Sequence, residues 1–137
     1  MRPLAHWSAL QLAVETLPTM TDCAAPNGEP VYRSQQLREL LGYNLEELDG
    51  GGKSRLDGTL DAGVHPHDLA GAKERYAHSL ATGEPYGRKH RLGRFDGEYR
   101  WVETRAAAMR DETATIVQWN VICPDIGGEV PTHAALA

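Results

Sequence analysis

Between His65 and Asp125 the sequence reads as one helix followed by three strands, and few folds accept that order in so short a span. His65-Pro66-His67-Asp68 opens the helical stretch and Gly83 stops it. Proline at position 66 disfavours a helical His65 and so sets where the helix begins. Asp68 meets the positive end of the helix dipole, and Leu69, Ala72, Tyr76 and Leu80 supply the apolar stripe. Three β-rich runs follow: Tyr86 to Arg94, Tyr99 to Met109 and Ile116 to Cys123. Asp96-Gly97 joins the first pair and favours the positive φ angles of a hairpin. Asp111-Glu112-Thr113 joins the second pair; it is polar and lacks glycine, so it names no turn type. A helix running into an antiparallel meander makes a small curved sheet with a hollow beneath it. That shape suits holding something small.

Upstream, Pro3 to Leu17 is a predicted helix with Leu4, Trp7, Leu10, Val14 and Leu17 on one stripe. The stripe is buried either within its own chain or against the same helix of a second copy. Trp7, Leu10 and Val14 are its candidate dimer contacts. Thr19 to Ala24 and Val31 to Arg33 read as short strands around the turn Pro26-Asn27-Gly28. Ser34 is a good N-cap for a helix over Gln35 to Leu41, Gly42 a good stop, and Asn44 caps a further turn through Leu48. Asp49 to Gly63 is glycine-rich and poor in apolar residues, and is expected to be mobile. The chain thus divides into a helix at 1–18, a domain at 19–126 and a flexible tail at 127–137.

Charge and composition exclude several classes. With 137 residues the chain has room for one modest core. A net charge of −5 without clustered Lys and Arg argues against nucleic acid. Arg88-Lys89-His90-Arg91 reads as a charged strand face. Cys23 and Cys123 lie far apart and suggest no disulfide framework. No run reaches the ~20 apolar residues that cross a bilayer, and His6, Gln11 and Glu15 interrupt any signal-peptide core. A cytoplasmic location without membrane insertion is expected.

Four motifs, in order, resemble those of PAS domains of the fold-3 subgroup. Leu40-Leu41-Gly42-Tyr43-Asn44-Leu45-Glu46-Glu47-Leu48 is similar to that family's helix pair, and His65-Pro66-His67-Asp68 to its long-helix opening. Ala81-Thr82-Gly83-Glu84-Pro85-Tyr86 resembles its helix-to-strand connection. Arg91-Leu92, then Asp96-Gly97-Glu98-Tyr99-Arg100-Trp101-Val102, resembles its third and fourth strands. The resemblance implies an α+β fold: a five-stranded antiparallel sheet flanked by helices, here with the amphipathic helix in front. It also implies a sensory role in a bacterial-type regulatory protein such as a two-component system, acting by ligand binding, homodimerisation or both. The usual outputs are histidine kinases, cyclic-dinucleotide enzymes and transcription factors, in a fused or separate domain. Trp101 and Asp125 are the fold and signalling candidates. Gly127, Gly128 and Pro131 would break the exit helix that commonly follows Asp125-Ile126 in the family.

The candidate chemistry is that of binding. No catalytic constellation stands out, so no enzyme is expected. The alternative in that class, a cone-type acid–base isomerase, would use Asp22 and Tyr32. His65 and His67 lack a third ligand, so no metal is expected. His78 is the candidate axial ligand in the alternative haem-sensor reading, which the pattern does not favour. Neither cysteine has the Asn-Cys-Arg-Phe context of flavin-binding relatives, which argues against flavin. Val102, Thr104, Ala106 and Ala108 share one face of the fourth strand, where small residues either leave a cavity or let helices pack closely. For a bound small molecule, Tyr76, Arg91 and Thr104 are the candidate contacts, with Arg91 suited to a carboxylate.

Overall fold

The computed structural model describes residues 17–127. Trp7, Leu10 and Val14 lie outside the described residues, as does the tail beyond 127. Five strands make one antiparallel sheet: β1 (Thr21–Ala24), β2 (Pro30–Arg33), β3 (Tyr86–Gly93), β4 (Tyr99–Arg110) and β5 (Ile116–Ile122), in the order β2-β1-β5-β4-β3. Between β2 and β3 run helices α1 (Gln35–Leu41), α2 (Arg55–Gly63) and α3 (Pro66–Thr82), with a 3-10 turn at Leu45–Leu48. This is the expected α+β architecture.

Local chemistry places the boundaries. The Ser34 side chain accepts from the Leu37 N–H and caps α1. His65 caps α3, its Nδ1 accepting from the His67 N–H at 3.0 Å. The Asp96-Gly97 hairpin closes with Gly97 at φ 88. The glycine-free turn is built differently: Ala114 takes φ 66, and the Asp111 carboxylate accepts the N–H groups of Thr113 at 2.9 Å and Thr115 at 3.1 Å. An Asx turn supplies what a glycine would have supplied.

One expectation is corrected. Asp49 to Gly63 does not stay irregular, because its second half is α2, capped by Ser54. Leu60, only 5% exposed, anchors that helix against Val64 and Ala72. Its glycines mark close approaches: a Cβ on Gly63 would sit 3.2 Å from Leu92, and one on Gly58 3.4 Å from Leu48. Burial and packing here offset the ~1 kcal/mol that each helical glycine costs.

Gly42 is needed for two reasons at once. Its φ is +85, and a Cβ there would lie 2.6 Å from the Phe95 Cβ on the β3–β4 hairpin. Gly42→Ala is expected to cost about 1–3 kcal/mol in urea unfolding. Gly50→Ala, at φ +83 with nothing within 4 Å, should cost less. Equal losses would show that the Phe95 contact is irrelevant.

Candidate functional site

The strand register sorts side chains onto two faces. Asp22 pairs with Arg33 and Val121, Ala106 with Tyr86 and Val121, and Ala24 with Trp119, so these residues face the helices. From the other side α3 contributes Tyr76, whose ring stacks on Tyr86 with centroids 4.3 Å apart, and α2 contributes Thr59. Two recesses of about 50 Å³ each lie between the layers, and Asp22, Thr59, Tyr76, Tyr86 and Val121 line both. The small face of β4 therefore leaves room as well as admitting the helices: Val102, Thr104 and Ala106 are all buried there.

The interior holds an unusual amount of polarity. Arg33 is 1% exposed, and its Nε donates to Asp22 Oδ2 at 3.4 Å, long for a charged pair. Its Nη2 donates to Thr59 Oγ1, and its guanidinium lies 5.6 Å from the centre of the Tyr43 ring. Asp22 Oδ1, Arg33 Nη1 and the Tyr86 hydroxyl have no hydrogen-bond partner among the described residues. Nearby, His90 Nε2 lies 2.7 Å from Thr104 Oγ1, and the Thr104 hydroxyl donates to Cys123 Sγ at 3.5 Å.

Burial governs the titrations. It lifts the Asp22 carboxyl from 3.8 to about 6 against the pull of Arg33. It pushes the Cys123 thiol up to about 11 and the Tyr86 phenol up to about 12, and it lowers His90. At neutral pH the site therefore holds a thiol, a neutral imidazole and one opposed ion pair, with no thiolate nucleophile.

Asp22 sets a pH dependence of known sign. The folded chain keeps its Asp22 proton to about pH 6, whereas the unfolded chain releases it near 3.8. The native state thus binds more protons between those values, and stability falls as pH rises through that window. His90 works the opposite way, because the unfolded imidazole takes up a proton first as pH falls below 6.5. The difference between wild type and Asp22→Asn isolates the carboxyl. From pH 4 to 7, wild type should lose up to about 3 kcal/mol relative to the variant in urea unfolding. A difference independent of pH would show that Asp22 is not held near 6.

Of the residues read from sequence as ligand contacts, Tyr76 and Thr104 line the recesses. Arg91 does not. It pairs across strands with Trp101 on the opposite face, its guanidinium 5.0 Å from the indole centre. There it wraps the sheet edge to grip Asp68 through Nε at 3.0 Å and Nη2 at 3.1 Å, while its backbone N–H donates to Asp68 Oδ2. The carboxylate that Arg91 suits is the chain's own: it pins the start of α3 to β3. Burial works against the Asp68 charge, yet the Arg91 bonds hold its carboxyl below the usual range.

Other candidates find plain roles. His78 is 60% exposed and sits 2.9 Å from Glu84, outside the recesses. Tyr32 pairs with Cys23 on the opposite face from Asp22, so the two groups of the isomerase alternative are separated by the sheet. Asp125 pairs with Arg100 at 2.7 Å and bridges to Val102, while the Ile126 N–H donates to the Trp101 carbonyl at 2.8 Å. The exit of the domain therefore continues along β4, just past the recess residue Cys123. Sequence reasoning passed over Arg33, Tyr86 and His90. The inward parity of their strands was the available signal.

Comparisons with known proteins agree with this architecture. The model of the PAS fold family matches residues 30–123. An uncharacterised protein of Sinorhizobium fredii, y4lL, is 34% identical over 126 residues; these cover 87% of this chain, which spans 14% of that relative's length. A solved light-oxygen-voltage domain, from work on a flavin analogue, is similar with a TM-score of 0.70 at 26% identity, covering 93% of this chain and 91% of that one. A sensory-box histidine kinase/response regulator structure from Burkholderia thailandensis shares the fold with a TM-score of 0.62 at 20% identity, covering 93% and 92%.

Proposed function

The chain belongs to the PAS fold family, and we propose that this sensory domain reports occupancy of its interior recesses by a small molecule to an output region. One observation carries the reading. Asp22 Oδ1, Arg33 Nη1 and the Tyr86 hydroxyl are buried without partners on residues that line one recess. A buried polar group without a partner costs about 1–3 kcal/mol, and a hydrogen-bonding guest relieves that cost. Recess residues Thr104 and Cys123 lie beside the bridge between Val102 and Asp125, so a guest bears on the point where the chain leaves the sheet. A guest that prefers one arrangement of that exit shifts its population. The S. fredii relative is much longer than this chain, and we place the output in such additional sequence of a bacterial regulatory protein, with a homodimer as its working form.

The space available sets the guest's size. Sites for drug-sized ligands run to roughly 300 Å³ or more, and the two recesses measure about 50 Å³ each, walled by the stacked Tyr76 and Tyr86. These residues do not fit a flavin, although the light-oxygen-voltage neighbour was studied with a flavin analogue.

A thermal-shift screen of compounds with two to eight heavy atoms tests the reading. Hits should raise Tm by an amount that grows logarithmically with concentration, and Tyr86→Phe should shrink the shift. If no compound at millimolar concentration stabilises wild type more than Tyr86→Phe, the sensing role fails.

A further inference from the structure

The Asp22–Arg33 pair leaves buried hydrogen-bonding groups unused. Only Nε and Oδ2 meet, at 3.4 Å, so the pair is skewed rather than bidentate. One acceptor, Asp22 Oδ1, and one donor, Arg33 Nη1, are left over on the same two side chains. Both residues line one recess, as does Tyr86, whose hydroxyl can donate or accept.

We infer that this recess recognises a small neutral molecule carrying a donor and an acceptor on one planar group, the carboxamide class. The inference rests on the small-ligand reading above and sharpens it. Charge selects first. Asp22 and Arg33 cancel, and the rest of the wall includes Leu37, Leu41, Leu60 and Val64. An anion entering there meets the Asp22 carboxylate, a cation meets the Arg33 guanidinium, and neither finds a free countercharge for its desolvation. Geometry selects next. A carboxamide carries both groups that the pair lacks: a carbonyl to accept from Arg33 Nη1 and an N–H to donate to Asp22 Oδ1. Size selects last, because about 50 Å³ admits a guest of a few heavy atoms.

The test uses the full 137-residue chain and three small probes: acetamide, acetate and ethylammonium. Each is titrated at pH 7.5 while backbone amide resonances of Thr104, Val121 and Cys123 are followed. Acetamide should shift them saturably, and the ions should not. Asp22→Asn, which keeps the side-chain shape, should weaken acetamide about five- to tenfold, because a charge-assisted hydrogen bond is roughly twice as strong as a neutral one. Tyr86→Phe should weaken it less. Saturable shifts with acetate or ethylammonium, and none with acetamide, would overturn the carboxamide class and leave a small-ligand site standing. Acetamide binding unchanged in Asp22→Asn would remove this pair as its recogniser. No shift with any probe, the outcome for a recess that holds water only, would remove the class and weigh against the small-ligand reading itself.

Discussion

Replacing Arg33 by methionine is expected to destabilise the domain by about 3–5 kcal/mol at pH 8 and by much less at pH 5. Methionine keeps most of the length and the apolar stem, so packing is largely preserved. What disappears is the cation beside Asp22, whose side chain is only 14% exposed, together with the bond to Thr59. At pH 8 the variant must bury an uncompensated carboxylate. Burial already lifts that carboxyl to about 6 with Arg33 present, so removing Arg33 pushes it higher. Near pH 5 it folds protonated, and the loss shrinks to what packing and one hydrogen bond supply. Urea unfolding across pH 5 to 8 gives the measurement. The double variant Arg33→Met, Asp22→Leu should recover most of the stability, since well-packed apolar replacements for a buried pair are often neutral or better. A loss independent of pH, or no recovery in the double variant, would mean that the charge pair is not the origin of the effect.

That pair also shows where the sequence was readable and where it was not. Elements and boundaries were legible because their signals are local. Ser34, Gly42, Pro66, Gly83 and Asp96-Gly97 act within a turn of themselves, and the structure places a cap, a stop or a hairpin at each. Thr104 was legible because strand parity put it on the small face of β4. Arg91 was misplaced for a reason that parity could have supplied. It alternates with the buried His90 and so belongs to the opposite face, and only its length lets it reach back around the edge strand to Asp68. Helix α2 was missed because its glycines are explained by Leu48 and Leu92, neighbours that lie outside its own segment. Arg33 was hidden more deeply. A single arginine at the end of a four-residue edge strand reads as solvated, and only the arrival of α2 with Thr59 and of Tyr43 closes the site over it.

Trp119→Ala is expected to cost a further large amount, about 3–5 kcal/mol. The indole is 3% exposed, and its Nε1–H donates to the Pro26 carbonyl at 3.1 Å. Alanine therefore removes a large apolar contact and leaves that carbonyl without its partner. For a domain of this size the drop in Tm should be about 12–20 °C, a large share of a typical total stability of roughly 5–15 kcal/mol. Trp119 also walls the recess shared with Ala24, Leu80 and Ala106, so the vacated volume merges with that space. The enlarged cavity should accept an aromatic guest against its apolar wall of Leu56, Leu60, Leu80 and Val121, as apolar cavities of ~150 Å³ do. Saturating benzene should then restore part of the lost Tm in Trp119→Ala and leave wild type unmoved. Rescue in neither protein would show that the layers collapse to fill the gap, and that the interior of this sensor is more compliant than its packing implies.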